Sequence, residues 1–292
     1  MIGFGRGGPC NHVSGIEGRT RFCRALGECL EQACGQASLD SRTVTFACAC
    51  LGFSGGPEDK EAFSRELIRS GQYKITHDAE IALSGAIAGE PGIIVIAGTG
   101  SMVFGRNAEG KTGRAGGWGH VFGDEGGAFG IIRRALRAAL QYEEGWGPPT
   151  ILRDALLKET GAATANELLH LFYTQDYPHR RVASLGPLVT RAAETGDAVA
   201  LQILDIAAAE LARFAKGVHQ QLFREGEKVP LAYVGGAFQS APLLVNFARR
   251  VCDAIASRVA PPRLNPAAGA LLDALRMDGN EAEVSGVPES EK

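Results

Sequence analysis

An α/β protein of roughly two domains is the architecture this sequence predicts, on three observations. Apolar strand-like runs alternate with helix-like segments over residues 43–88, three strand candidates follow one another over residues 93–115, and many of the 39 glycines fall at strand ends. Alternation of strand and helix argues for parallel pairing in an α/β layer. Glycine at strand ends marks tight turns and ligand loops.

Taken in order, residues 2–8 read as the tail of a strand leading into the loop Gly8-Pro9-Cys10-Asn11-His12. A helix is predicted over residues 16–35, where Phe22, Ala25, Leu26, Cys29, Leu30 and Ala33 recur at helical spacing. Residues 43–51 (TVTFACACL) form a buried-strand candidate, and 52–56 a turn. Residues 57–70 are a marked helix, with proline at the start, Glu58 and Asp59 in the first turn and Gly71 beyond the end. A strand over 73–76 and a helix over 78–88 complete the alternation.

Strands are next predicted over 93–97, 102–106 and 111–115, with Asn107-Ala108-Glu109-Gly110 turning between the last two. A helix over 125–142 follows, then helical pattern from 150 to 221, interrupted near Tyr177-Pro178 and Gly186-Pro187. Within it, Leu201, Leu204, Ala208, Leu211, Phe214, Ala215 and Val218 share one face. A buried strand over 231–234 ends in Gly235-Gly236, and helices over 241–259 and 266–277 precede an acidic, polar tail, 278–292, whose composition predicts disorder.

Composition narrows the function. A net charge of −3 gives no reason to expect nucleic acid or an anionic membrane as partner. The first residues, MIGFGRGGPCNH, hold no apolar run suited to a signal peptide. The most apolar region, residues 81–98, is broken by Glu90 and Pro91, short of a membrane span. The seven cysteines (Cys10, Cys23, Cys29, Cys34, Cys48, Cys50, Cys252) form no CxxC pair and read as reduced, mostly buried thiols of a cytoplasmic protein. Their spacing with histidine shows no zinc site, and no metal-ligating residues are assigned.

The most informative stretch is IIVIAGTGSMVFGRNAEGKTGRAGGWGHVFGDEG, residues 93–126. An apolar strand runs straight into Gly98-Thr99-Gly100-Ser101, and a second strand follows at once. Small residues there leave backbone N–H groups uncovered and let an oxyanion approach. A plain β-hairpin turn is the alternative for these four residues alone. Asp78 stands at the end of another strand, where α/β sheets gather their active sites. A carboxylate there suits a general base for a hydroxyl attacking a phosphoryl group; an N-cap for the following helix is the plainer reading.

The order THDA, AGTGS, GGWGHVFGDEGGA, VGGAFQS resembles the N-acetylglucosamine kinases and the wider BadF/BadG/BcrA/BcrD-type ATPases of the actin–hexokinase–Hsp70 superfamily. The likeness runs from about Gly3 to Leu275, and GGWGHVFGDEG is its most specific piece. It implies two RNase H-like domains, each βββαβαβα, closing on ATP and a sugar held between them. Residues 1–92 would form the first domain, with part of helix 266–277 packing back on it, and residues 93–277 the second, with a helical insertion. The family opens its first domain with a strand-turn-strand carrying a short phosphate loop, typically DGGGTKT. No such segment occurs here, so the first sheet is expected to lack one or two strands, and either the start lies upstream or the product is a degenerate relative.

The resemblance also assigns residues. Asp78 takes the catalytic position. Gly98, Thr99, Gly100 and Ser101 align with the family's second phosphate loop, and Gly235, Gly236, Ala207 and Ser240 with nucleotide contacts. Asn11, Gly117, Trp118, Gly119 and Asp124 map to the sugar. Physically, Trp118 offers an apolar face to a pyranose, and Asp124 can accept from two adjacent hydroxyls. A core aromatic and a capping carboxylate are the plainer alternatives for these two. His120 reads as a structural hydrogen-bonding residue. Mg²⁺ is implied by ATP chemistry, held mostly by phosphate and water.

The reading is therefore an ATP-dependent kinase acting on the 6-hydroxyl of N-acetylglucosamine or a related amino sugar, with a homodimer left open. Two alternatives remain. An ATPase that activates a partner enzyme would need cysteines bridging an iron–sulfur cluster, for which the pattern here shows no clear pairing. A non-catalytic sugar-binding relative would account for the missing loop.

Overall fold

The computed structural model describes residues 1–8, 10, 13, 15–174, 177–280 and 284. The chain divides into two units, Met1–Glu90 with Pro262–Lys292, and Pro91–Pro261.

In the first unit, α1 (Gly15–Gln36) precedes β1 (Phe46–Phe53), α2 (Glu61–Leu67), β2 (Ser70–His77) and α3 (Asp78–Ala86), and α12 (Pro266–Met277) joins from the chain's end. β1 and β2 pair in parallel, Phe46 opposite Ser70 and Phe53 opposite His77, with α2 in the crossover. The helix expected over 57–70 is shorter. The buried Lys60 ammonium donates to the Gly56 carbonyl and to Asp59, folding the chain before Glu61 as turns.

β1 is not the buried strand the sequence suggested: no residue along it is fully buried. Among the described residues it pairs with β2 on one side and with no strand on the other. The strand expected over residues 2–8 is likewise absent. That segment lies along α1, where the Gln36 amide accepts the Phe4 N–H and donates to the Phe4 carbonyl. Gln32, one turn earlier, does the same for Arg6. Gly3, Gly5 and Gly7 face the helix backbone at strand period, and a Cβ on Gly3 or Gly5 would lie 2.0 Å from a helix carbonyl. The backbone pairing of a strand is thus replaced by two glutamine amides.

All of α12 belongs to this unit. Its Asp273, 4% exposed, receives the Lys74 ammonium at 2.8 Å, and Glu80 receives the same group at 2.6 Å. Burial pulls the Lys74 pKa down, but the hydrogen bonds and charges of Asp273 and Glu80 outweigh it and leave it raised.

The second unit is a mixed sheet in the order β5-β4-β3-β6-β7. β3 (Gly92–Ala97), β4 (Ser101–Arg106) and β5 (Thr112–Gly116) form the antiparallel meander the sequence indicated. β6 (Leu231–Val234) lies parallel to β3, and β7 (Val259–Ala260) parallel to β6. The unit's helices are α4 (Gly119–Phe122), α5 (Ala128–Glu143), α6 (Leu152–Thr160), α7 (Ala165–Phe172), α8 (His179–Ala183), α9 (Gly186–Glu194), α10 (Ala198–Leu222) and α11 (Ala241–Ile255), with α10 packed on β3, β4 and β5 and α6, α7 and α8 packed against other helices.

The core joins Ile93, Val95 and Ala97 of β3 to Leu204, Ala208, Leu211, Ala215 and Val218 of α10. That is the apolar face read from the sequence, with Phe214 partly buried against it and Leu201 exposed. Asp197 caps α10 through the Ala200 N–H and also accepts from Thr150 and Ile151, so one carboxylate aligns two helices. α11 ends four residues before the predicted limit of 259, because Ala256 turns left-handed at φ +54° and frees Val259 for β7.

The cysteines are free, but only Cys34 is fully buried and Cys252 is exposed. Among the described residues no helix is long and apolar enough to cross a membrane. The tail expected to be disordered lies largely outside the described residues.

Candidate active site

The turn between β3 and β4 is closed by the Gly98 N–H donating to the Gly100 carbonyl at 3.0 Å. The carbonyls of Gly98 and Thr99 accept the N–H groups of Ala128 and Phe129 at 2.9 and 3.0 Å. The leading donors of α5 are therefore consumed by the loop. Among the described residues the N–H groups of Thr99 and Gly100 and the Thr99 hydroxyl have no protein partner. Free amides in a half-buried glycine turn form a cradle for a phosphate oxygen.

Ser101 does not share that role. Its hydroxyl donates to the Glu125 carbonyl and its N–H to the Asp124 carboxylate, so both donors already hold the loop to the segment before α5. Of the four residues aligned with the phosphate loop, Ser101 is thus the one whose hydroxyl and N–H are both already bonded within the protein.

Beside Gly98 and Thr99 lies a cavity of about 510 Å³ within the second unit. Gly236 lines it with open space where a Cβ would be. Ser240 also lines it; its hydroxyl is buried and has no hydrogen-bond partner, although it stands at the start of α11. Gly235 acts differently: at φ +113°, a Cβ would strike the Ala97 carbonyl at 2.3 Å, so glycine lets the end of β6 close on the end of β3. Ala207 is not a contact to this space. It is 2% exposed in the core, and Leu204, one turn earlier on α10, reaches the wall instead. Arg180 and Ser184 around α8, Arg191 on α9 and Gln239 after β6 also line the cavity and were not foreseen. The two arginines carry no signal in the sequence beyond being basic residues inside a helical insertion, whereas Gln239 lies within the VGGAFQS motif.

After β5, Gly117 and Gly119 both take positive φ, near +75°, and hold Trp118 out at 64% exposure. The Arg114 guanidinium sits 5.1 Å from the Trp118 ring centre. Trp118 is thus not the core aromatic that the plainer reading offered. Val121 and Phe122 of α4 are exposed beside it. Asp124 is 7% exposed in a left-handed conformation at φ +65°, with one carboxylate oxygen on the Ser101 N–H. His120 makes no side-chain hydrogen bond among the described residues; its ring stacks on His179, centroids 5.3 Å apart, and meets Phe129 edge-on.

In the first unit, Asp78 opens α3 directly after β2. The N-cap position itself is His77, and Asp78 is exposed with one carboxylate oxygen on the Ala79 N–H. Asn11 lies outside the described residues. Among the described residues no group of three His, Cys, Asp or Glu could hold a metal ion.

A meander continued by parallel strands, with a glycine turn of free amides opening on a cavity, defines a nucleotide-binding α/β protein of the actin-like type. The chain belongs to the BadF/BadG/BcrA/BcrD ATPase family, whose model matches residues 10–274. It is 35% identical over 249 residues to an N-acetylmuramic acid/N-acetylglucosamine kinase of Clostridium acetobutylicum, covering 83% of this chain and 80% of that one. It is 34% identical over 216 residues to an N-acetyl-D-glucosamine kinase of Dictyostelium discoideum, covering 70% of this chain and 67% of the relative. A crystal structure from Chromobacterium violaceum, provisionally described as an N-acetylglucosamine kinase, matches with a TM-score of 0.73 at 27% identity, over 93% of this chain and 90% of that one.

Proposed function

We propose that the protein is an ATP-dependent kinase for the 6-hydroxyl of N-acetylglucosamine or a close amino sugar. The observation that carries this reading is the pairing, in one unit, of unpartnered amides at Thr99 and Gly100 with a nucleoside-sized cavity holding the orphaned Ser240 hydroxyl. The amides receive terminal phosphate oxygens, and the nucleoside lies over Gly236. Trp118 and its exposed apolar neighbours receive the pyranose face, with the free carboxylate oxygen of Asp124 for a sugar hydroxyl.

Asp78 is the general base. The sugar oxygen forms its bond to the γ-phosphorus as the bond to the ADP oxygen breaks, and the hydroxyl proton passes to the Asp78 carboxylate. Mg²⁺ would offset phosphate charge when bound, held mainly by phosphate and water.

A coupled ADP-release assay over N-acetylglucosamine, N-acetylmuramic acid, N-acetylmannosamine and glucose tests this. Turnover confined to the N-acetylated sugars is expected; no turnover with any of them, in a protein shown to be folded, would overturn it. The kinase names of the two relatives above 30% identity favour this reading over an enzyme-activating ATPase.

A further inference from the structure

The phosphate cradle at Gly98–Gly100 offers only neutral donors, whereas a triphosphate brings several negative charges. Beyond what a bound Mg²⁺ would offset, counter-charge comes from the protein, and the cavity wall holds two cations, Arg180 and Arg191. Nearby basic residues are committed: Arg181 stacks 4.2 Å from the Tyr177 ring centre, and Arg133 donates to the His120 carbonyl. The Arg180 guanidinium has no carboxylate or carbonyl partner among the described residues, which leaves its whole donor fork available.

Its placement follows from a short chain of contacts. The Thr99 carbonyl accepts the Phe129 N–H, the Phe129 ring meets His120 at 5.4 Å, and His120 stacks on His179, the residue before Arg180. The short α8 is thereby tied to the loop. Arg191 also lines the wall but stands on α9. Gly186, where α9 starts, faces Ala128 near the loop, and Arg191 lies five residues on, about 7.5 Å along the helix axis.

We infer that Arg180 binds the phosphate chain of the nucleotide and sets the preference for a triphosphate over the bare nucleoside. This rests on the nucleotide reading of the cavity. The His120–His179 stack is the positioning contact that keeps the guanidinium at the loop end.

Calorimetric titration of the full chain with the non-hydrolysable analogue AMP-PNP and with adenosine tests it, in wild type, Arg180→Ala, Arg180→Lys and Arg191→Ala. Arg180→Ala is expected to weaken AMP-PNP about tenfold or more, the scale of one charged hydrogen-bonded pair, and to leave adenosine within about twofold. Arg180→Lys should recover part of the loss, and Arg191→Ala should affect both ligands alike. In turnover, Arg180→Ala should raise KM for ATP and not for the sugar. Wild-type affinity for AMP-PNP in Arg180→Ala, or an equal loss for adenosine, would overturn the inference and leave the nucleotide site standing. Failure of wild type to bind either ligand would overturn the nucleotide reading and the inference together.

Discussion

The Asp124 carboxylate accepts the Ser101 backbone N–H at 3.3 Å, and a Cβ added to Gly100 would lie 2.2 Å from that same carboxylate oxygen. One acidic side chain thus fixes the loop that a nucleotide would touch, and its fit depends on a glycine. Gly100→Ala is expected to displace the carboxylate, lower stability by about 1–3 kcal/mol through overpacking and abolish AMP-PNP binding. Thermal melts and calorimetry check the two effects separately. A variant that melts and binds like wild type would contradict the geometry.

Thr99 and Ser101 should separate by phenotype. Thr99→Val removes an unpartnered hydroxyl, so it should raise KM for ATP about tenfold with little change in stability. Ser101→Ala removes a hydroxyl bonded to the Glu125 carbonyl and should cost about 1 kcal/mol of stability, with a smaller effect on KM. Reversal of the two patterns would show that the roles have been exchanged.

The Lys74–Glu80–Asp273 cluster binds α12 to the first unit. Asp273→Ala leaves a half-buried ammonium with one fewer partner and should lower unfolding free energy by about 3 kcal/mol in a denaturant titration. Because the folded protein holds the Lys74 proton more tightly than the unfolded chain, this stabilisation is complete below 10.5 and is lost as pH rises through the raised value. Wild-type stability that does not fall at alkaline pH, or that falls equally in the variant, would contradict it.

Cys50 and Cys252 should differ in reactivity. Burial, reinforced by the Asp273 charge, pushes the Cys50 thiol up to about 12, so it remains protonated at pH 9; Cys252 is exposed. Iodoacetamide at pH 9 followed by peptide mass mapping should label Cys252 well before Cys50. Equal labelling rates would contradict the burial argument.

Much of this architecture is legible in the sequence because its local signals agree. The meander over residues 93–115 and the face of α10 carry clean periodicity, and Asp78 does fall where a strand gives way to a helix. The failures have local causes. The end of α11 carries no glycine or proline, and Ala256 takes the left-handed turn usually given to glycine, so the sequence pattern extends the helix to Val259, the first residue of β7. Residues 2–8 have strand period but find glutamine amides on α1 instead of a strand. Within the site, the loop was legible because its chemistry is contiguous. Arg180 and Arg191 lie some distance along the chain from Thr99, inside a helical insertion, and no spacing rule marks helix residues that turn to a cavity. Ala207 and Leu204 sit one turn apart on α10, and only the packed structure decides which reaches the wall.

The most direct test of the account is steady-state turnover of Asp78→Asn with ATP and N-acetylglucosamine, alongside calorimetric binding of AMP-PNP and the sugar. The account predicts that kcat falls by roughly 10²–10⁴-fold, the usual worth of a general base, while both ligands bind as in wild type. Undiminished kcat in this variant would contradict Asp78 as the base and, with it, the reaction proposed for this protein.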